Sequence, residues 1–490
     1  MDHAVAHPPF VAAPRLVSGI AWRRDAAAVA ALLVWTLLFG LPILRLDYPD
    51  DAFYSEAAHL WTQGVPPYIG VFDIKPPGYF ALLALAQMAF GATVTTIHGL
   101  SLVCDLATAC VLYAIGRTLN APRAGFTAAA TFIPLAVFLF ENEAYPPLVL
   151  AETLAFLAAL RPGAALGRAA LSGLACGVAM AFKQTAVLEV AVLAFVFLRE
   201  RKATAFLAFA LACAAVPLAF VAYYARLGGL GALFEDVVVH ALQRPGVQGV
   251  SYFGDNGLLL SKLITLGPVA LLTLCVGLRL RSPPQGLAPA HANLMRLWVL
   301  AALVELMAQG AQDLNYLSEV AAPALLLGGL YAEGGASKRG AVVLLGFMAA
   351  TVAFFGLMRV IAFEREIDDA AMRQVDALVQ NAHPEPQDRL LGLDFALWAN
   401  IATGLAPPTP FFHRMHLLCA FPGAGADRLT EAFAARPRFL VLGARLRTRY
   451  DCAGDSPGWS VVEAERRTNY RALGEVQGGV GRYVVYQRAR

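Results

Sequence analysis

Long apolar stretches recur along the chain, divided by short polar breaks that carry most of its arginine and lysine. The first, Ala26 to Leu44, contains no charge and is long enough to cross ~30 Å of hydrocarbon as a helix. Arg23 and Arg24 precede it, so its start belongs in the cytoplasm. Arg45, Leu46 and Asp47 follow it where a cleaved signal peptide would show small residues, so the stretch reads as a retained span. Further spans are predicted at Thr96 to Gly116, Ala124 to Phe140, Pro146 to Leu160, Ala169 to Phe182, Thr185 to Leu198 and Ala203 to Ala225. Leu258 to Leu278, Leu294 to Gly310, Leu317 to Tyr331 and Ala341 to Ala362 follow, giving about eleven.

Tyr79 to Phe90 is apolar but short, and stretches of ~10 to 14 residues are more often interfacial than spanning. If it is not a span, Arg117 with Arg123, Arg161 with Arg168, Arg199 with Arg201 and Lys202, Arg279 with Arg281, and Lys338 with Arg339 all fall on the side of Arg23. Counting it as a span would send the first three of these clusters outside. The eleven-span reading therefore places residues 1–25 in the cytoplasm and 26–363 in a transmembrane unit, with an outer loop at 45–95. The turn from Phe140 to Tyr145, Lys183 and the loop from Leu227 to Gly257 fall on that same outer side.

Composition agrees. Of the 490 residues, 58% are hydrophobic and 15% charged, and the mean hydropathy is +0.59, outside the range of soluble domains. A formal charge of +3 is too small for a broad nucleic-acid surface. The 7 cysteines form no CxxC motif and are too scattered for a disulfide scaffold.

From about Glu364 charge becomes denser, and Pro384, Pro386, Pro407, Pro408 and Pro410 break the chain into short elements. Residues 364–490 read as a small extracytoplasmic α/β domain. Strands are predicted at Arg389 to Leu393, Phe439 to Leu442 and Tyr483 to Tyr486, with a helix at Asp427 to Ala435. Cys419 and Cys452 fall here, in a compartment where a disulfide would survive.

Candidate chemistry concentrates in the outer loop. Asp50 and Asp51 begin an amphipathic helix at the membrane surface, where adjacent carboxylates can supply a general base and a partner for acceptor or metal. Lys75, fixed just before Pro76 and Pro77, can hold a phosphate at the same surface. Taken singly, either aspartate equally caps the helix and Lys75 equally snorkels to headgroups. Their pairing in one loop favours chemistry. Lys183, at the outer end of a span, divides evenly between phosphate contact and snorkelling. His240 and Arg244 read mainly as solvated loop. Asp105, Glu152, Glu189, Glu305 and Glu319 are intramembrane acids, functional by default but equally suited to interhelical hydrogen bonds.

Asp50-Asp51, Phe72-Asp73-Ile74-Lys75-Pro76-Pro77-Gly78, Leu112-Tyr113-Ala114-Ile115-Gly116-Arg117, Asn142-Glu143 and Ala181-Phe182-Lys183-Gln184-Thr185, in that order, resemble the GT-C integral-membrane glycosyltransferases. The branch is that of the protein O-mannosyltransferases, the aminoarabinose transferase of lipid A and the Rgt-type galacturonosyltransferases. The match is good over about residues 45 to 200, weak to 310, and returns faintly from Asn315-Tyr316 to Pro323. It implies an all-α polytopic membrane fold of GT-C type, Asp50 as catalytic aspartate, Asp51 as its acidic neighbour, Glu143 as a second outer-loop acid, and Lys75 on the lipid phosphate. Family members carry Asp-Glu where this chain has Asp50-Asp51, which leaves the division of labour between the two open.

The resemblance implies an inverting hexosyl- or pentosyltransferase of the plasma (inner) membrane. It would move a monosaccharide from a polyprenyl-phosphate donor to an envelope lipid, polysaccharide or protein, with membrane lipids as further partners and no nucleic acid. Whether a divalent metal bridges Asp50 and the phosphate stays open. A polytopic lipid or polysaccharide transporter is the alternative, although the two similar halves usual in transporters are missing from the sequence.

Overall fold

A computed structural model describes residues 19–44, 49–139, 144–200, 202–243, 287–308, 317–333, 369–413, 417, 425–443, 457–478 and 481–489. The expected spans 258–278 and 341–362 lie outside these residues, as do Glu143, Arg244, Cys419 and Cys452.

The chain is mostly helical, with one small sheet. In order come α1 (Gly19–Gly40), α2 (Pro49–Thr62), α3 (Gly78–Phe90), α4 (Val94–Thr118), α5 (Pro122–Leu139), α6 (Tyr145–Leu160), α7 (Ala165–Phe182), α8 (Val187–Arg199) and α9 (Ala203–Arg226). A short helix Leu230–Phe234 runs into a π-helical turn, Glu235–His240. Two more long helices, Pro289–Ala308 and Leu317–Glu333, precede the sheet-bearing unit. Helices thus occupy the expected spans that fall within the described residues. By length and apolarity, three of the described helices suffice on their own to cross a membrane: α4, α7 and α9.

Local chemistry sets the boundaries. Helix α4 begins earlier than expected because Thr93, in extended conformation, accepts a hydrogen bond from the Thr96 amide at 3.2 Å. Helix α7 ends at Phe182, where Lys183 turns extended (φ −154°) before a single 3₁₀ turn leads into α8. Small residues let α7 and α9 touch: a Cβ on Gly173 would stand 2.2 Å from the Phe209 carbonyl oxygen, and one on Gly177 2.3 Å from that of Cys213. In lipid, where apolar burial does not drive association, such close backbone packing supplies the attraction.

The basic breaks come together in pairs. Arg117 meets Asp25, beside Arg23 and Arg24, at 2.5 Å. Arg168 forms a forked bond to Glu200 at 2.9 and 3.1 Å, joining the breaks after α6 and α8. Glu333 accepts from the Ala124 amide at 2.8 Å.

The sheet-bearing unit holds four strands in the order β1-β2-β4-β3, with β1 at Leu390–Gly392, β2 at Phe439–Gly443, β3 at Tyr470–Gly478 and β4 at Gly481–Arg488. β1 and β2 are parallel, while β4 runs antiparallel to both its neighbours. Three strands and the helix Gly425–Ala434 lie where the sequence places them. β3 was not anticipated, because RALGEVQG has neither β-branched runs nor clean alternation; its register slips between Ala472 and Gly474. It pairs because β4 offers it an edge.

Candidate active site

Helix α2 starts with Pro49 in its first turn, followed by Asp50 and Asp51 beside its positive end. Ala52, Phe53, Tyr54, Ser55, Glu56, Ala57 and Ala58 are all buried, so this helix is packed on every side. Its two aspartates meet different surroundings. Asp51 is 1% exposed and its Oδ2 lies 3.1 Å from Nε2 of His98, on α4. Asp50 is 24% exposed at its side chain, and its Oδ1 lies 3.0 Å from Nε2 of His413, in the sheet-bearing unit. Asp50 is thus the more exposed of the two aspartates.

The loop after α2 is braced onto the same helix. The Lys75 ammonium donates to the Tyr54 hydroxyl and sits 4.8 Å from that ring's centroid. Tyr54 stands one helical turn beyond Asp50 on the same face, which holds the lysine over the start of α2. Asp73 Oδ1 accepts from the Lys75 amide at 2.7 Å, and the Tyr68 hydroxyl donates to the Lys75 carbonyl. Tyr68 itself has φ +66°, a conformation costing ~1 to 3 kcal/mol for a bulky side chain. Its ring packs at 5.3 Å from Tyr224 of α9. Gly78, ending the Lys-Pro-Pro-Gly run, is pressed on α7, where a Cβ would stand 2.5 Å from the Ala181 carbonyl oxygen.

Lys183 does not snorkel. It is buried, its Nζ lies 2.8 Å from Glu319 Oε1, and it donates to the Tyr145 hydroxyl at 2.5 Å. Its neighbour Gln184 ties the site together, its Nε2 donating to the carbonyls of Ile74 at 2.6 Å and Val237 at 2.7 Å.

A short segment of the sheet-bearing unit straps both α2 and the loop after it. The Pro410 carbonyl accepts from the Phe72 amide at 3.0 Å, Phe411 packs 5.0 Å from Phe72, and Phe412 packs 5.2 Å from Phe53. The Arg428 guanidinium lies 3.9 Å from the Phe411 ring centroid. Beside this strap, Asp236 lies 3.2 Å from His240. Burial, with Glu235 and Asp73 nearby, pushes the Asp236 carboxyl up to about 7, while Arg428 pulls the other way.

Of the residues expected from sequence, Asp50, Asp51 and Lys75 converge on α2, whereas Lys183 is engaged inward. Asp105 is buried within α4. His98, His413 and Tyr54 were not anticipated. A histidine following a proline-rich run carries no signal that it will meet an aspartate in a distant loop.

No family model and no curated protein matches the sequence. Structural likeness is extensive. ArnT from Cupriavidus metallidurans in the apo state superposes with a TM-score of 0.55 at 14% identity, over 96% of this chain and 98% of that one. The same protein bound to undecaprenyl phosphate gives 0.53 at 14% identity over the same shares. The oligosaccharyltransferase of Archaeoglobus fulgidus, tethered with an acceptor peptide, gives 0.51 at 10% identity, over 95% of this chain and 74% of that one. These are GT-C proteins, and the chain shares their fold.

Proposed function

We propose that the protein is an inverting glycosyltransferase that moves a monosaccharide from a polyprenyl phosphate to an envelope acceptor at the outer membrane face. The observation that carries this reading is the convergence on α2 of a reachable carboxylate, Asp50, and a cation, Lys75, held one turn away through Tyr54. The fold shared with a protein that binds undecaprenyl phosphate supports it.

In this mechanism Asp50 takes the proton of the acceptor hydroxyl as that oxygen attacks the anomeric carbon. The bond from that carbon to the phosphate oxygen breaks, and the lipid phosphate leaves with the electron pair. Lys75 stabilises the charge that gathers on it. Attack opposite the leaving group inverts the anomeric centre. Asp51, buried against His98, fixes the start of α2, and His413 orients Asp50. The ion pair with Glu319 supports a structural part for Lys183, with Gln184 carrying its position to the Ile74 carbonyl. Asp50 and His413 offer two ligand atoms, and the described residues bring no third to them, so no step is assigned to a metal here.

Residues 1–25 are placed in the cytoplasm, 26–363 in the membrane unit with its outer loop at 45–95, and 364–490 outside. The clustering of basic breaks supports this sidedness. Cysteines introduced at Ser337 and Ser456 test it, because an impermeant reagent should label position 456 and spare 337 in intact cells.

The decisive experiment supplies purified protein in lipid with radiolabelled polyprenyl-phosphate sugars and an envelope lipid extract. The parent should transfer label, and Asp50→Asn should lower turnover at least ~100-fold while still binding donor. Lys75→Met should lose donor affinity as well as rate, and Lys75→Arg should keep part of both. Movement of labelled lipid across the bilayer without sugar transfer would make the protein a transporter instead.

A further inference from the structure

The membrane helices bring together four glutamates that are far apart in sequence. Glu152 lies two turns into α6, Glu189 in the first turn of α8, Glu305 in the last turn of Pro289–Ala308, and Glu319 in the first turn of Leu317–Glu333. All four are at most 2% exposed. Glu319 is matched by Lys183 at 2.8 Å, and that lysine also serves Tyr145. The other three face one another, with one carboxylate oxygen from each within 4.8 Å of the rest.

Three carboxylates so placed cannot all keep their charge in a membrane interior without a counter-charge. Lys183 is the cation beside them, and Glu319 uses it. A second observation concerns the oxygens themselves. Apart from the contact that Glu189 and Glu305 make with each other and Glu189's own backbone, no hydrogen-bond donor of the described residues reaches Glu152 Oε1 or the carboxylate oxygens of Glu189 and Glu305. Buried polar atoms are ordinarily satisfied, so these converging acceptors call for positive charge, from a bound cation or from protons. The spacing and the ligand type narrow the kind of cation. Oxygens no more than 4.8 Å apart can share one ion, at ~2.4 Å for calcium where they are widest and at ~2.1 Å for magnesium where they are closer. The set contains no sulfur or imidazole, which disfavours zinc and copper.

We infer that Glu152, Glu189 and Glu305 form an intramembrane site for a hard divalent cation of the magnesium, calcium or manganese class. It is separate from the outer-loop aspartates, and its wall is the Lys183–Glu319 pair. The ion ties α6, α8 and Pro289–Ala308 together. Through Lys183 and Gln184 it steadies the carbonyl of Ile74, next to Lys75. The site holds whether or not the chain transfers sugar, and the test is one of binding.

Chelator-treated full-length protein in lipid nanodiscs is titrated with Mn²⁺, and free Mn²⁺ is followed by its electron paramagnetic resonance amplitude. An Asp50→Asn, Asp51→Asn background silences the outer carboxylates. One saturable site should remain in that background and be competed by Mg²⁺ or Ca²⁺. Glu189→Gln with Glu305→Gln should abolish it. Glu152→Gln, a single isosteric change, should weaken it at least ~10-fold and serves if the double variant fails to fold. Absence of saturable binding in the parent would overturn the site and leave protons to neutralise the carboxyls. Undiminished binding in the folded glutamine variants would overturn it equally.

Discussion

Asp50 and His413 stand 363 residues apart and meet at 3.0 Å, the carboxylate from the first turn of α2 and the imidazole from the strap of the sheet-bearing unit. That unit is therefore part of the site. Its core is continuous with that of the helices through Phe412, which packs on Phe53.

His413→Ala should lower turnover by less than the ~100-fold expected of Asp50→Asn, because it frees the base to rotate without removing it. His413→Gln keeps a side-chain donor and should recover part of the rate. Initial rates at saturating donor check this, and an unchanged rate in His413→Ala would show that the contact is incidental.

The Lys183–Glu319 pair makes a prediction about stability. Lys183→Met leaves a carboxylate buried without its partner, a loss of ~3 to 5 kcal/mol for such pairs. Adding Glu319→Gln should restore most of the melting temperature. If Lys183 instead serves the donor phosphate, the double variant will remain as deficient in donor binding as the single one.

Gly78→Ala places a methyl 2.5 Å from the Ala181 carbonyl oxygen, a backbone atom that α7 holds in place. The Lys-Pro-Pro-Gly run must move away from α7, costing ~1 to 3 kcal/mol as overpacking does. Donor affinity should fall with the shift of Lys75, while Gly99→Ala, whose added methyl meets nothing within 4 Å, should leave it near the parent value.

Burial raises the Glu56 carboxyl in α2 from 4.5 to about 8. A carboxyl raised on folding holds its proton in the native state after the unfolded chain has lost it. Stability therefore falls as pH rises from about 4.5 to about 8 and levels above that. Glu56→Gln should remove this slope: equal melting temperatures near pH 4, and a more stable variant at pH 8. A parent and variant with parallel pH profiles would show that Glu56 is ionised in the fold.

Apolar length and composition already indicated a membrane protein, and the sequence pointed to candidate chemistry in the loop after the first span. Asp50, Asp51 and Lys75 could be singled out there because covalent neighbours and proline restrict where they point. Helix positions were legible as well, since apolar length is a local property. β3 was not, because its strand state depends on the edge that β4 presents.

The partners of those residues were decided only by tertiary structure. Hydropathy gives the depth of a charged residue in the membrane but not its direction around a helix. Lys183 therefore read equally well as turned to headgroups until packing set it against Glu319. Glu152, Glu189 and Glu305 looked like three unrelated intramembrane acids for the same reason. The rotations of three separate helices bring their carboxylates within 4.8 Å of one another. His98 and His413 carry no local mark of function, and each becomes a candidate only when the fold brings it to an aspartate. Composition and periodicity are properties of neighbours along the chain, whereas a site is a property of neighbours in space, and here the two sets share only the short run through α2 and Lys75.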